Sequence, residues 1–123
     1  MPEIQDIGKF LSILAANCPP GQLVEIGTSA GYSTMWLALA AKERGVKVKT
    51  FELLEPKIRM AKETFRQAGI NDFVELIEGD VLVNIRQTEN VSFCLIEYFR
   101  MDFESANGPS YLITRRPCSF FVC

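Results

Sequence analysis

A carboxylate, two glycines and several hydroxyls crowd into one short run, Glu25-Ile26-Gly27-Thr28-Ser29-Ala30-Gly31-Tyr32-Ser33. These groups suit the holding of a ligand better than the breaking of a bond. Gly27, without a Cβ, lets the chain turn sharply, and Gly31 lets the backbone pass close to a ligand. The helix-like run that follows, Thr34 to Ala41, opens with free N–H groups that face whatever lies over the loop. Ser33 and Thr34 fall in its first turn, where their hydroxyls can cap the helix or meet a ligand carboxylate. Three further acids, Glu52, Asp80 and Glu97, each follow an apolar or β-prone run. Glu52 is placed to accept hydrogen bonds from both ribose hydroxyls of a nucleoside ligand.

The spacing excludes two common phosphate loops. Glu25-x-Gly27-x-x-x-Gly31 is not G-x-G-x-x-G, and no G-x-x-x-x-G-K-[ST] occurs. The chain has no histidine, which removes Ser-His-Asp and Cys-His catalysis and most zinc sites. Cys18, Cys94, Cys118 and Cys123 lack C-x-x-C spacing and are expected to be reduced, as in a cytoplasmic protein. A net charge of −2 gives no basic excess for nucleic acid or an anionic membrane. No apolar run approaches the ~20 residues that span a bilayer, and the acidic N-terminus is unlike a signal peptide.

The elements that would hold these residues alternate. Ile4, Ile7, Phe10, Leu11, Leu14 and Ala15 recur at helical spacing up to Asn17, before Pro19-Pro20-Gly21. Gln22 to Ile26 reads as strand 1, and Tyr32 to Arg44 as a helix ended by Gly45. Lys47 to Glu52 reads as strand 2, and a helix opened by Glu55-Pro56 ends at Gly69. Phe73 to Glu78 reads as strand 3, Val81 to Gln87 as a short helix, and Ser92 to Ile96 as a buried strand 4. Such alternation predicts an α/β fold with a parallel sheet and right-handed crossovers. Acids or glycines then gather at the C-terminal strand tips, the edge where such sheets bind ligands.

The loop "VEIGTSAGYST", the stretch "AKETFRQAGI" and Gly79-Asp80 resemble the S-adenosylmethionine-dependent O-methyltransferases of the cation-dependent, catechol and caffeoyl-CoA type. The resemblance implies a Rossmann-like fold with helices on both sheet faces and the strand order 3-2-1-4-5-7-6. It implies S-adenosylmethionine held by Glu25, Gly27, Thr28, Gly31, Ser33, Glu52 and Asp80. It implies methyl transfer to a small-molecule hydroxyl, with Mg2+ in the intact family, and a first helix that borders the active site. After strand 4 the family reads D-A-x-K-x-x-Y, whereas this chain reads Glu97-Tyr98-Phe99-Arg100-Met101-Asp102-Phe103. Glu97 keeps a carboxylate where the family has a metal ligand. Arg100 stands in place of the proposed basic lysine and cannot take a proton.

The resemblance covers residues 1–103, read as an incomplete S-adenosylmethionine-binding domain. Residues 104–123 read as an unrecognised tail, with no Asp-Asn pair for the second metal position. The later strands are missing or replaced, as in a truncated or altered family member. Two rivals stand beside an active methyltransferase: a non-catalytic nucleoside-binding or interaction remnant, and a nicotinamide-cofactor oxidoreductase. Without a fifth strand, strand 4 would leave an open edge. Either the chain self-associates there or the tail covers it, through Tyr111 to Thr114 or Ser119 to Val122.

Overall fold

Strand-length apolar runs separated by helical stripes fold into a single sheet flanked by the connecting helices. The computed structural model describes the backbone of residues 4–103 and 111–122 and the side chains of residues 5–97. The order is α1 (Ile4–Asn17), β1 (Gln22–Ile26), α2 (Tyr32–Arg44), β2 (Val48–Glu52), α3 (Glu55–Ala68), β3 (Val74–Glu78), the one-turn α4 (Val81–Asn84), β4 (Val91–Phe103) and β5 (Tyr111–Val122). Short 3-10 turns, Asn71–Phe73 and Ile85–Gln87, precede β3 and follow α4.

The sheet runs β3-β2-β1-β4-β5. Its first four strands are parallel and β5 lies antiparallel to β4. Steps from β1 to β2 and from β2 to β3 move the same way, so right-handed crossovers carry α2 and α3 over one face. The return from β3 to β4 runs the other way, back past β2 and β1, and carries α4. α1 packs beside α2. Leu11 and Ala15 of α1 meet Leu37, Ala40 and Ala41 of α2 over Leu23, Val48, Phe93 and Leu95 of the sheet. A second cluster joins α2 to α3 and β3 through Ala38, Ala61, Phe65 and Val74. The alanines of α2 let both neighbouring helices approach it closely.

Three expectations are corrected. The inner stripe of α1 is Leu11 and Ala15, continued by buried Cys18 just past its end, whereas Ile7 and Phe10 are about half exposed. Gly8 sets this register. A Cβ there would sit 2.2 Å from Nε1 of Trp36, so the indole of α2 occupies the space against α1. Strand 4 does not end at Ile96 but runs on to Phe103, because β5 supplies its backbone partners from Cys94↔Val122 to Phe103↔Tyr111. The edge beside β4 is therefore filled, and both tail segments named above lie in β5. Finally, Cys18 is disulfide-bonded rather than a free thiol. Cys94 is free, and burial raises its thiol pKa. Residues 104–110 and 123 of the tail lie outside the described residues. Among the described residues no helix is long and apolar enough to cross a membrane.

Candidate functional site

The C-terminal tips of β1, β2 and β3 are tied together by backbone. The N–H groups of Gly27 and Thr28 both donate to the Phe51 carbonyl, at 2.9 and 3.1 Å. Gly79 N–H donates to the Glu52 carbonyl at 2.9 Å. The loop after β1 is thus hung on the end of β2, and the turn after β3 is fixed to it as well.

The two loop glycines are needed for reasons that local sequence cannot supply. Gly27 has φ +93°, and a Cβ on it would lie 1.7 Å from the Glu97 carbonyl oxygen of β4. Gly31 has φ +85°, and its Cβ would lie 2.7 Å from the ring of Phe65 in α3. Within the chain, the close approaches that these glycines permit are to β4 and α3.

Glu25 sits beneath the loop, fully buried. Its carboxylate collects three hydroxyls from two elements. Ser33 Oγ donates to Oε2 at 2.6 Å. Thr34 Oγ1 donates to Oε1, as does Thr50 Oγ1 at 2.8 Å. Thr50 also shares a 2.6 Å hydrogen bond with Thr28 of the loop. Loss of hydration raises the Glu25 pKa to about 7, against the pull of the three hydroxyls, and the charge of Glu97 adds to the rise. Ser33 and Thr34 therefore serve Glu25. They do not cap α2, whose N-cap is Gly31 with no side-chain hydrogen bond.

Glu52 ends β2 and faces the loop. Its Oε1 accepts from Ser29 N–H at 2.8 Å, and its Oε2 accepts from Leu53 and Leu54 N–H at 2.9 and 3.2 Å. Asp80 follows β3 and caps α4, with Oδ1 accepting from Leu82 N–H at 2.9 Å. Glu97 lies within β4, half-buried, and burial raises its pKa against a hydrogen bond from Ser33. Ser33 Oγ stands 3.4 Å from its Oε2.

A cavity of about 300 Å³ opens over this corner. Its floor is Thr28, Ser29, Ala30, Ser33 and Glu97. Its apolar wall comes from Ile7, Gly8 and Leu11 of α1 with Tyr32 and Trp36 of α2. Of the residues expected to hold the ligand, Thr28 and Ser33 line the cavity together with Glu97. Glu25, Gly27, Gly31, Glu52 and Asp80 do not line it, although Glu52 braces Ser29, which does. Sequence reasoning missed Thr50 and Trp36. A threonine at an inward position of β2 and the chain's single tryptophan were the available signals.

A divalent cation does not fit what is described. Among the described residues no group of three or more His, Cys, Asp or Glu is arranged to hold a metal ion. Glu97 stands there as a lone candidate, with the nearby Glu25 carboxylate taken up by hydroxyls. Arg100 belongs to β4, and its side chain lies outside the described residues.

Comparison with known proteins agrees with this architecture. A family described as O-methyltransferase matches residues 1–115. A catechol O-methyltransferase of Mycobacterium tuberculosis is 32% identical over 105 residues, which span 85% of this chain and 46% of that protein. A putative O-methyltransferase of Mycobacterium sp. (strain KMS) is 39% identical over 108 residues, 87% of this chain and 47% of that protein. Among solved structures, cofactor-bound Rv0187 from MTB superposes with a TM-score of 0.65 at 25% identity, covering 79% of this chain and 56% of that one. An O-methyltransferase from Bacillus cereus in complex with SAH gives a TM-score of 0.65 at 23% identity, over 79% and 57%. The chain thus spans about half the length of the curated relatives it matches. With its Rossmann-like order β3-β2-β1-β4 and a family match over nearly its whole length, this chain belongs to the O-methyltransferase family.

Proposed function

We propose that this chain binds S-adenosylmethionine along the C-terminal edge of its sheet and corresponds to the cofactor-binding half of an O-methyltransferase acting on a small-molecule hydroxyl. The observation that carries this reading is the convergence on one edge of three features: the loop hung on β2, the Glu52 carboxylate facing it, and the cavity over Ser33 and Glu97. Glu52 would receive the ribose hydroxyls, using the acceptor capacity left beside its three backbone bonds. Asp80 would border the adenine. Ser33 and Thr28 would face the amino-acid end, with Gly27 and Gly31 shaping the loop and Glu25 supporting it. The relatives solved with a cofactor or with SAH support the same ligand here.

When bound, S-adenosylmethionine supplies an electrophilic methyl group. Transfer forms an oxygen–carbon bond and breaks the carbon–sulfur bond, whose electron pair stays on sulfur, while the acceptor hydroxyl gives up its proton. This chain is poorly equipped for that last step. Arg100 stands where a base is expected, and a guanidinium does not take a proton at any working pH. The described residues do not fit Mg2+, so no step is routed through a metal. These two observations favour a second reading of the isolated chain: a nucleoside-binding module that does not turn over.

Calorimetric titration of the 123-residue chain with S-adenosylhomocysteine and then with NAD tests the binding. Binding of the first and not the second supports the reading. Binding of NAD alone would replace it with an oxidoreductase. A methyl-transfer assay with catechol and magnesium should give little or no product. Robust turnover would show that the tail supplies groups beyond those named here.

A further inference from the structure

We propose that Thr50 is a positioning residue. Its buried hydroxyl holds the loop after β1 in the shape a ligand needs, and keeps hold of it while the ligand draws on Glu52. The inference rests on the cofactor reading above and deepens it.

The loop does not keep its shape alone. Gly27, Ser29 and Gly31 all have positive φ, at +93°, +54° and +85°. Two of these are glycines, but Ser29 carries a Cβ, which the left-handed region disfavours. Contacts from outside the loop must impose that backbone. Three successive residues of β2 supply them. Thr50 Oγ1 meets Thr28 Oγ1 at 2.6 Å. The Phe51 carbonyl takes the N–H groups of Gly27 and Thr28, and Glu52 Oε1 takes that of Ser29.

These anchors are not equivalent. The Glu52 carboxylate is the group offered to the ligand, so a ligand that engages it competes with Ser29 for the same oxygens. Thr50 is fully buried and does not line the cavity. Its single hydrogen goes to Glu25 Oε1 at 2.8 Å. Toward Thr28 it therefore accepts, and Thr28 donates. Thr28 is itself only 1% exposed, and a hydroxyl so buried is costly to leave unpaired. Thr28 sits between the left-handed Gly27 and Ser29, and its carbonyl accepts from Gly31 N–H at 2.9 Å. A hold on Thr28 thus reaches the whole loop, and with it the floor of the cavity.

Thr50→Val removes the hydroxyl at almost constant volume, and Thr50→Ser restores it. Hydrogen exchange at Ser29 and Gly31 N–H, both hydrogen-bonded in the loop, reports on its shape without any ligand. In Thr50→Val these two should exchange roughly tenfold faster, the scale of one buried hydrogen bond, and accelerate more than the β1–β4 ladder does. Calorimetry on the full chain should show Thr50→Val binding S-adenosylhomocysteine roughly tenfold more weakly, with Thr50→Ser close to the parent. Thr28→Val cuts the same bond from the loop side and leaves Thr50 on Glu25. The double variant should therefore exchange no faster at the loop than Thr50→Val alone.

Equal acceleration of loop and ladder in Thr50→Val would mean a general loss of stability and overturn the proposal. So would effects of the two threonines that add, or a Thr50→Ser that behaves like Thr50→Val. A parent that binds S-adenosylhomocysteine no better than Thr50→Val does would overturn this inference and leave the cofactor reading intact. A parent that does not bind it at all would overturn both. If Thr50→Val gives no cooperative melt, Thr28→Val decides: loop exchange equal to the parent's overturns the proposal.

Discussion

The proton on Glu25 ties stability to pH. Burial lifts its pKa from 4.5 to about 7. Between those values the folded chain keeps a proton that the unfolded chain has released. The stabilisation from this group is therefore fully present below about pH 4.5 and lost as pH rises through about 7. At about 1.4 kcal/mol per pH unit the whole effect is about 3 kcal/mol. Urea melts of the parent and of Glu25→Gln at pH 5 and pH 8 should show the parent losing stability relative to the variant on going up. A difference that does not change with pH would mean that Glu25 is not buried as described. The two loop glycines give a second residue-scale expectation. At Gly27 an added Cβ meets a backbone carbonyl of the central sheet, which cannot move aside. At Gly31 it meets the edge of the buried Phe65 ring, a side chain rather than backbone and a less severe overlap, to which the left-handed φ adds about 1–2 kcal/mol. Gly27→Ala should therefore lower the melting temperature more than Gly31→Ala, and the reverse order would contradict this packing. Glu52→Ala should cut S-adenosylhomocysteine affinity roughly tenfold or more. It removes the brace on Ser29 N–H as well as the ribose acceptor, and unchanged affinity would remove Glu52 from the pocket.

At the scale of elements, the contact of α1 with α2 turns on Gly8 and Trp36. Any side chain at Gly8 would overlap the indole, with a Cβ 2.2–2.4 Å from its atoms. Gly8→Val should push α1 off its seat and cost roughly 1–3 kcal/mol, the scale of overpacking. Since Trp36 is the sole tryptophan, its emission reports the displacement directly. A spectrum and melt identical to the parent's would contradict the packing. This contact also marks how far the sequence could be read. The bounds of α2 and α3 were legible because glycine caps, Gly45 and Gly69, and Pro56 punctuate them locally. The alternation of helix and strand was legible for the same reason, and with it the edge on which ligand groups gather. The inner face of α1 was not. Ile7 and Phe10 fit the helical stripe as well as Leu11 does, and only the partner helix decides which of them is covered. Glu25, Gly27 and Gly31 were singled out as a group, and the structure places the two glycines in the loop with Glu25 buried beneath it. Their neighbours in space, Thr50, the Glu97 carbonyl and Phe65, lie 25, 70 and 34 residues away along the chain, beyond the reach of a local motif.

For the molecule as a whole, the critical element is β5. β4 needs a partner on its outer side, because a bare strand edge is a template for association. β-propensity in the tail indicated that it could serve, but propensity does not name a partner, so folding back and self-association stood equal in the sequence. The ladder from Cys94↔Val122 to Phe103↔Tyr111 gives β4 that partner within the chain. It also makes the ladder antiparallel, at a place where the parallel order of the rest of the sheet would not have indicated one. The cavity side of β4 is thereby linked to the tail: Glu97, on the cavity floor, pairs in register with Ser119. Deleting residues 111–123 should uncover the edge of β4 and leave Cys94 to Phe103 without outer hydrogen-bond partners. The shortened chain should self-associate, seen as increased light scattering and a concentration-dependent melt, while the full chain at the same concentration remains smaller. It should also bind S-adenosylhomocysteine less tightly, because the strand that presents Glu97 has lost its outer neighbour. A deletion variant as monomeric and as stable as the parent would mean that β5 does not cover β4 in solution. If the parent itself associates and the deletion disperses it, the tail is the adhesive element, and β5 pairs between chains.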